Sequence, residues 1–224
     1  YRIVVVTEGG PHIWGLVNAI ARHFGQPTVV IEAPESKKAL LRARARRQGW
    51  LSALGQLGTM AVVRLTKRFP PRAASARDPA VTGALAVVAG APGFDIAPPP
   101  ESAVVRIGSA NGAELVEALE RIGPGVVLLA GCRLLGWGTL SRIACPVLNY
   151  HAGIAPKYRG MNGGYWALAT GDAGNFGTTV HLVDAGVDTG PVIYQARGRP
   201  APRDTIASYA LTQAAFSRDI CIRA

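Results

Sequence analysis

The chain has 224 residues, of which 49% are hydrophobic, and 24 Lys and Arg against 14 Asp and Glu give a formal net charge of +10. This length suits one sizeable core, and no apolar run approaches the length of a membrane span or the pattern of a signal peptide. The 3 cysteines are odd in number and lack metal-ligand spacing, which argues against a disulfide framework or a zinc site. We therefore expect a soluble, cytoplasmic protein without a bound metal or a membrane partner.

The first elements in chain order predict the opening of a nucleotide-binding-like α/β fold. A buried strand over residues 2–7 leads through the Gly9-Gly10-Pro11 turn into an amphipathic helix over residues 12–23. A second strand follows over residues 28–31. This strand–turn–helix–strand order is typical of the first half of a doubly wound sheet.

A basic segment over residues 36–77 interrupts this pattern. It contains eleven basic residues and no acidic ones, and without those eleven the chain has 13 basic residues against 14 acidic. Periodic apolar residues such as Leu40, Leu51 and Leu54 favour a helical insertion with a packed face. Two interpretations stay open: the segment binds RNA, a phosphate-bearing substrate or a membrane surface, or it is a solvated helical face.

The rest of the chain, after a Pro-rich linker over residues 92–100, alternates again between helices and strands. We predict helices over residues 111–122 and 163–170, strands over residues 125–130, 145–149, 178–183 and 192–196, and a closing helix with Asp204 as its N-cap. This alternation predicts a doubly wound, Rossmann-like α/β fold with a mostly parallel central sheet and helices on both faces. We expect residues 1–224 to form a single catalytic domain. The sequence stops inside a helical pattern, which leaves open whether a further C-terminal segment follows residue 224.

Two polar, Gly-rich stretches, residues 148–160 and 183–193, are the candidates for chemistry. Asn149 and His151 stand two residues apart at the end of an apolar run, so strand alternation points both side chains to one side. An amide and an imidazole so aligned can hold an oxygen that gains negative charge, as acyl transfer requires. A carboxylate such as Asp188 can orient the imidazole and accept protons. Each of these residues alone is more often an ordinary turn residue, so the combination carries the prediction.

Residues 148–195 resemble the folate-dependent formyltransferase family, which includes the glycinamide ribonucleotide, methionyl-tRNA and sugar N-formyltransferases. The resemblance rests on Asn149, His151, the loop 153–160, Thr179-Val180-His181 and Asp188-Thr189-Gly190. It implies that Asn149, His151 and Asp188 are the catalytic trio and that 10-formyltetrahydrofolate is the formyl donor. In that chemistry an amine attacks the formyl carbon, Asn149 and protonated His151 stabilise the oxyanion, and Asp188 helps the proton leave.

The same resemblance implies a folate site between two loops. Its residues would come from the loop after the central strand and from the loop that carries the catalytic carboxylate: Arg133, Leu134, Leu135, Val183, Asp184 and Val187. Leu134 and Leu135 can equally be core residues. His181 matches the family, yet a lone histidine on a strand is more often a structural group.

The acceptor amine is less defined than the donor. Glycinamide ribonucleotide enzymes bind a phosphate at the turn after the first strand, whereas here that turn contains Glu8, Gly9, Gly10 and His12, and the Glu8 carboxylate would repel a phosphate. We take these four residues as candidate contacts to a small amine substrate, for which an anionic or nucleotide-linked amine is one option, although a histidine near a helix start is more often a surface residue. A tRNA is the less favoured partner. The alternatives are a formyltetrahydrofolate hydrolase, a methionyl-tRNA or glycinamide ribonucleotide formyltransferase, and a non-catalytic folate- or RNA-binding module. The sequence does not fix the oligomeric state.

Overall fold

The structure is a computed structural model, and it describes residues 2–34, 94–202, 204–205 and 208–224. The predicted basic helical insertion over residues 36–77 lies outside these ranges, as does the first part of the predicted linker. Residues 94–100 have no regular secondary structure, and Phe94 is buried in the core.

Strands and helices alternate along the described residues. The strands are β1 (Ile3–Thr7), β2 (Thr28–Glu32), β3 (Val104–Ile107), β4 (Val126–Ala130), β5 (Val147–His151), β6 (Gly177–Leu182) and β7 (Val192–Arg197). The helices are α1 (Pro11–Phe24), α2 (Ala113–Ile122), α3 (Trp137–Leu140), α4 (Gly163–Ala169) and α5 (Tyr209–Arg223). None of these helices is both long enough and apolar enough to cross a membrane.

Helix α1 illustrates how the sequence sets an element. Pro11 occupies its first turn, where the missing N–H has no intrahelical partner to lose. Ile13, Leu16 and Ile20 then recur at helical spacing and are buried against the sheet. Gly25 ends the helix at a φ of 84°, which favours glycine.

The described strands form one sheet in the order β3-β2-β1-β4-β5-β6-β7. The pairs among the first five strands are parallel, and β6 pairs antiparallel with both β5 and β7. The predicted doubly wound, mostly parallel sheet is therefore confirmed. Strand β1 has β2 on one side and β4 on the other, so the connections diverge there and leave a crevice outside the carboxyl ends of the strands.

Helices cover both faces of this sheet. On one face α1 and α5 pack together over alternate strand residues that include Val5, Leu128 and Tyr150. On the other face α2 and α3 pack over the intervening residues, among them Val4, Val127 and Val147. The period of two along each strand thus supplies two separate apolar layers.

Three details differ from the sequence prediction. Strand β3 and the short helix α3 were not predicted, since each has only four residues and gives little periodicity. Helix α5 begins at Tyr209 with Ser208 as its N-cap residue, so the prediction of Asp204 as the cap is wrong. The Asp204 carboxylate instead accepts hydrogen bonds from the Ala201 N–H (2.7 Å) and the Ser208 hydroxyl (2.9 Å), in the turn before the helix.

Candidate active site

Two antiparallel neighbours, β5 and β6, present polar side chains on the same face of the sheet. Asn149 and His151 are two residues apart on β5, and His181 on β6 lies directly opposite Asn149 in the strand register. The intervening residues Leu148, Tyr150 and Val180 all belong to the apolar layer on the opposite face. The alternation of the strands therefore brings an amide and two imidazoles together.

The carboxylate of Asp188 joins these three side chains. The Asn149 amide nitrogen donates to Asp188 Oδ1 over 3.0 Å and lies 3.1 Å from His181 Nε2. His151 Nδ1 lies 3.4 Å from Asp188 Oδ2, and His181 Nε2 lies 3.4 Å from Asp188 Oδ1. The predicted trio Asn149, His151 and Asp188 thus forms one cluster, with His181 as a fourth member.

A tight loop between β6 and β7 holds Asp188 in place. Asp188 has a φ of 51°, in the left-handed region that few non-glycine residues adopt. The Asp184 carboxylate folds this loop by accepting hydrogen bonds from the Gly186 N–H (3.0 Å) and the Thr189 hydroxyl (2.6 Å). The Gly160 N–H donates to Asp188 Oδ2 over 2.7 Å, so the carboxylate has a fixed backbone donor.

The His151 ring is fixed by the loop that follows β5. Its Nε2 lies 2.6 Å from the carbonyl oxygen of Tyr158, so this nitrogen donates and Nδ1 faces Asp188. The ring fits because Gly153 has no side chain: a Cβ there would stand 2.4 Å from the Tyr158 oxygen and 2.6 Å from His151 Nε2.

Two side chains from β6 and β7 anchor the same loop. The Thr179 hydroxyl donates to the Gly153 carbonyl over 2.8 Å and accepts from the Ala155 N–H over 3.0 Å. The Gln195 amide donates to the Ala155 carbonyl over 2.7 Å. The loop geometry is therefore set by internal hydrogen bonds before any ligand binds.

Charges within the cluster shift two pKa values in opposite directions. Burial alone would lower the pKa of His181, but its hydrogen bonds to Asp188 and to the Leu182 carbonyl outweigh burial and raise it. Burial alone would raise the pKa of Asp188, but the hydrogen bond to His181, the charge of His151 and the Gly160 N–H together lower it. Both shifts favour a charged carboxylate beside a charged imidazole.

The cluster lies in a cleft of about 340 Å³ at the carboxyl ends of the strands. Such a volume falls in the range of small-molecule sites. All of the predicted folate-contact residues line it: Arg133, Leu134, Leu135, Val183, Asp184 and Val187. Leu134 and Val187 are exposed, with 58% and 47% of their surfaces accessible, whereas Leu135 is buried in the core beneath the cleft.

The predicted acceptor residues divide into two groups. His12 lines the cleft, and burial lowers its pKa, which favours the neutral ring. Glu8, Gly9 and Gly10 do not line this cleft. The Glu8 N–H donates to the Gly131 carbonyl, and the Gly9 N–H donates to the Thr7 hydroxyl (both 2.8 Å), so both are already engaged.

The fourth member of the cluster, His181, was expected as a structural group, and the structure places it beside Asn149 and Asp188. The available signal was its period-two position on β6, which places it on the same face as any polar residue opposite it on β5.

A thiol in the cleft, Cys132, has a pKa raised to about 12 by burial and by the charges of Glu32 and Glu8. This shift favours the protonated thiol, which is a poor nucleophile. The described residues contain no group of His, Cys, Asp and Glu suited to a metal ion.

The fold and this cluster define a doubly wound α/β protein with a preorganised set of amide, imidazole and carboxylate groups, an arrangement suited to acyl transfer. Residues 72–224 match the model of the family described as formyl transferase. The chain belongs to this formyl transferase family.

Curated relatives match over part of the chain. Phosphoribosylglycinamide formyltransferase of Escherichia coli K12 is 41% identical over 85 residues, which is 38% of this chain and 40% of the relative. Methionyl-tRNA formyltransferase of Koribacter versatilis is 33% identical over 113 residues, or 50% of this chain and 36% of the relative. The matches thus span less than half the length of each of these two relatives.

Solved structures share the fold over nearly the whole chain. Phosphoribosylglycinamide formyltransferase from Streptococcus pneumoniae TIGR4 aligns with 99% of this chain and 95% of its own, at a TM-score of 0.58 and 22% identity. A sugar N-formyltransferase from a Shewanella species aligns with 99% of this chain and 67% of its own, at a TM-score of 0.55 and 14% identity. Identities this low support the fold and leave the substrate open.

Proposed function

We propose that this protein transfers the formyl group of 10-formyltetrahydrofolate to the amine of a small biosynthetic substrate through a tetrahedral intermediate. The observation that carries this proposal is the contact of Asn149, His151 and Asp188 at the floor of an open cleft, inside the part of the chain that matches the family. The proposed catalytic residues are these three.

The oxyanion would be stabilised by Asn149 and His151. Nε2 of His151 donates to the Tyr158 carbonyl, so the Nδ1–H of a protonated ring, 3.4 Å from Asp188 Oδ2, is the proton that we assign to the oxyanion. Fixed donors of this kind stabilise developing charge without reorganising at the moment of reaction.

The protonation state of His181 would decide how many amide hydrogens of Asn149 are free to donate to the formyl oxygen. A neutral His181 can accept from the Asn149 amide at Nε2, so together with Asp188 it occupies both amide hydrogens. A protonated His181 has no acceptor there and instead donates to Asp188, and one Asn149 hydrogen is then free for the formyl oxygen. The raised pKa of His181 favours this second state.

Atoms and protons balance in one cycle. The amine nitrogen forms a bond to the formyl carbon, the carbonyl oxygen becomes the oxyanion, and the amine proton passes to the Asp188 carboxylate. Collapse of the intermediate breaks the bond from carbon to N10, and the proton goes to N10 as tetrahydrofolate leaves. The lowered pKa of Asp188 keeps it ionised and ready to accept.

The rim of the cleft suits a folate as the donor. Leu134 and Val187 offer exposed apolar surface on the two loops that we propose as the walls of the pterin site. The loop backbones between them supply fixed polar groups, the combination that small-molecule sites use.

The turn before α1 weighs against a phosphate-bearing acceptor bound there. Pro11 has no N–H, the N–H groups of Glu8 and Gly9 are engaged, and the Glu8 carboxylate is exposed beside them. We therefore favour a small amine whose anionic part, where it has one, lies away from this turn. The basic segment 36–77 is a candidate for binding an anionic acceptor or a tRNA. For either ligand, the test is the salt dependence of KM.

Incubation of the full chain with 10-formyltetrahydrofolate and a panel of amines, including amino sugar nucleotides, glycinamide ribonucleotide and methionyl-tRNA, tests the proposal. Tetrahydrofolate release that depends on an amine supports transfer. Formate release without an amine identifies a hydrolase, and the absence of both reactions with folate binding intact identifies a binding module. Either of the last two results would overturn the proposal.

A further inference from the structure

A buried ion pair supports the loop that follows β4. Glu32, the last residue of β2, has no exposed surface. Its Oε1 accepts a hydrogen bond from the backbone N–H of Arg133 over 2.6 Å, and its Oε2 accepts from the Ala110 N–H over 2.9 Å. The Arg133 guanidinium completes the pair, with Nη1 3.1 Å from Glu32 Oε2.

The guanidinium also ties two other strand ends to this loop. It donates to the carbonyl of Ala33, directly after β2, and to that of Gly108, directly after β3, the latter over 3.5 Å. Its Nε is buried and has no hydrogen-bond partner among the described residues. The Arg133 side chain thus lies against the ends of β2 and β3, although Arg133 also lines the cleft.

Asn111 holds the far end of the same loop. Its amide nitrogen donates to the Leu134 carbonyl over 2.9 Å, and its amide oxygen accepts from the Gly136 N–H over 2.6 Å. Leu134 and Leu135 lie between the anchored residues Arg133 and Gly136, and both line the cleft. The loop is therefore held by fixed backbone contacts at Arg133, Leu134 and Gly136.

We propose that Glu32 and Arg133 are positioning residues that hold the loop 131–136 in the geometry that receives the folate, and that they thereby determine the affinity for the donor. This inference rests on the proposed function. Arg133 acts through the backbone and through Glu32 and does not touch the donor with its guanidinium.

The chemistry of the pair makes each half dependent on the other. A glutamine at position 32 has a single oxygen, whereas the site holds two backbone N–H donors, so its amide group would face one of them donor to donor. A methionine at position 133 keeps the backbone N–H but leaves the Glu32 carboxylate buried without a cation. Both changes release the loop, since an unpaired buried group is costly.

Calorimetric titration with tetrahydrofolate tests the proposal on the full chain. Glu32→Gln and Arg133→Met should each raise Kd about tenfold or more. The Kd of the double variant should lie within about twofold of the Kd of the single variant that binds more weakly, because both changes disrupt the same ion pair. In ligand-free protein, the amides of the loop 131–136 should exchange faster with solvent in both single variants. Glu101→Gln is the matched control, since Glu101 pairs with Arg106 at 2.8 Å on the exposed surface and should leave Kd unchanged.

Arg133→Lys protects the test against misfolding, because it keeps a cation against Glu32 and loses only the planar fork. We expect it to fold and to raise Kd by less than Arg133→Met. Weaker binding in the two Arg133 variants with unchanged binding in Glu32→Gln would overturn the proposal, since it would mean that Arg133 contacts the folate directly. Additive effects in the double variant would overturn it as well.

Failure of the proposed function gives a different result. If the unaltered chain does not bind tetrahydrofolate, the function is wrong, and amide exchange alone then decides the structural half of the inference. Unchanged exchange of the loop amides in Glu32→Gln would overturn that half.

Discussion

Replacement of Asn149 by alanine should separate catalysis from folding. The Asn149 side chain is half-buried and donates to Asp188, with His181 at hydrogen-bond distance. Both partners keep other contacts after the change, because Asp188 retains the Gly160 N–H and His181 retains the Leu182 carbonyl. We therefore expect a folding cost near that of one hydrogen bond, about 1 kcal/mol. Loss of an oxyanion donor should lower kcat by about 10²- to 10³-fold, or roughly 3–4 kcal/mol of transition-state stabilisation.

The assay is steady-state release of tetrahydrofolate, together with chemical denaturation of the same variant. Asn18→Ala is the matched control, because the half-buried Asn18 also donates to two acceptors, the carbonyls of Asp95 (2.7 Å) and Ala97 (2.9 Å). It should cost a similar free energy of unfolding and leave kcat unchanged. A kcat in Asn149→Ala within about threefold of the unaltered chain would refute the reasoning, since that corresponds to less than 1 kcal/mol.

Three further predictions concern the pH profile, the loop that follows β5 and the basic segment. His181 has a raised pKa, so kcat/KM should fall as the pH rises through that value, above about 6.5, and this limb should vanish in His181→Gln. Gly153→Ala should abolish activity and destabilise the fold, because the added Cβ would stand 2.4 Å from the Tyr158 oxygen, whereas Gly138→Ala in α3 meets nothing within 4 Å and should be neutral. Charge reversal at residues 42–47 should raise KM for an anionic acceptor and reduce its salt dependence.

Each of these has a distinct contrary result. An unchanged pH limb in His181→Gln would remove His181 from the titration that we assign to it. Retained activity in Gly153→Ala would mean that the contact to the His151 ring is not required. An unchanged KM after charge reversal at residues 42–47 would mean that the segment is a solvated helical face and does not bind the acceptor.

The pKa shifts of His181 and Asp188 also make the stability of the fold depend on pH. A raised pKa for His181 contributes stability that is fully present below about pH 6.5 and is lost as the pH rises through the folded value. A lowered pKa for Asp188 contributes stability that is present above about pH 3.9 and is lost as the pH falls through its folded value. Denaturation midpoints across pH, compared with those of His181→Gln and Asp188→Asn, measure the two contributions.

The fold was largely predictable because its signals are local. Strands such as β1 and β4 are almost entirely apolar and buried on both faces, and α1 has both a helical period and a clear start and end. Strand β3 escaped prediction because a four-residue strand with Arg106 inside it has too weak a pattern. The N-cap of α5 was misplaced because Asp204 and Ser208 are both residue types that favour an N-cap, and the sequence alone does not tell which of the two precedes the first helical residue, Tyr209.

Only part of the candidate site could be predicted from the sequence. Strand alternation was enough to place Asn149 and His151 on one face. The cross-strand position of His181 depends on the register between β5 and β6, which the sequence does not carry. The partner of Arg133 was equally hidden, since Glu32 lies 101 residues earlier in the chain and meets it only through the order of strands in the sheet.

The anchoring of the loop that follows β5 by Thr179 and Gln195 also affects how the protein would lose function. Gln195 belongs to β7, the last strand in the order of the sheet, where pairing exists on one side only among the described strands. Edge strands open more easily than the centre of a sheet. Mild heating or low denaturant should therefore loosen the loop around His151 first, and inactivation should precede the cooperative loss of the parallel core.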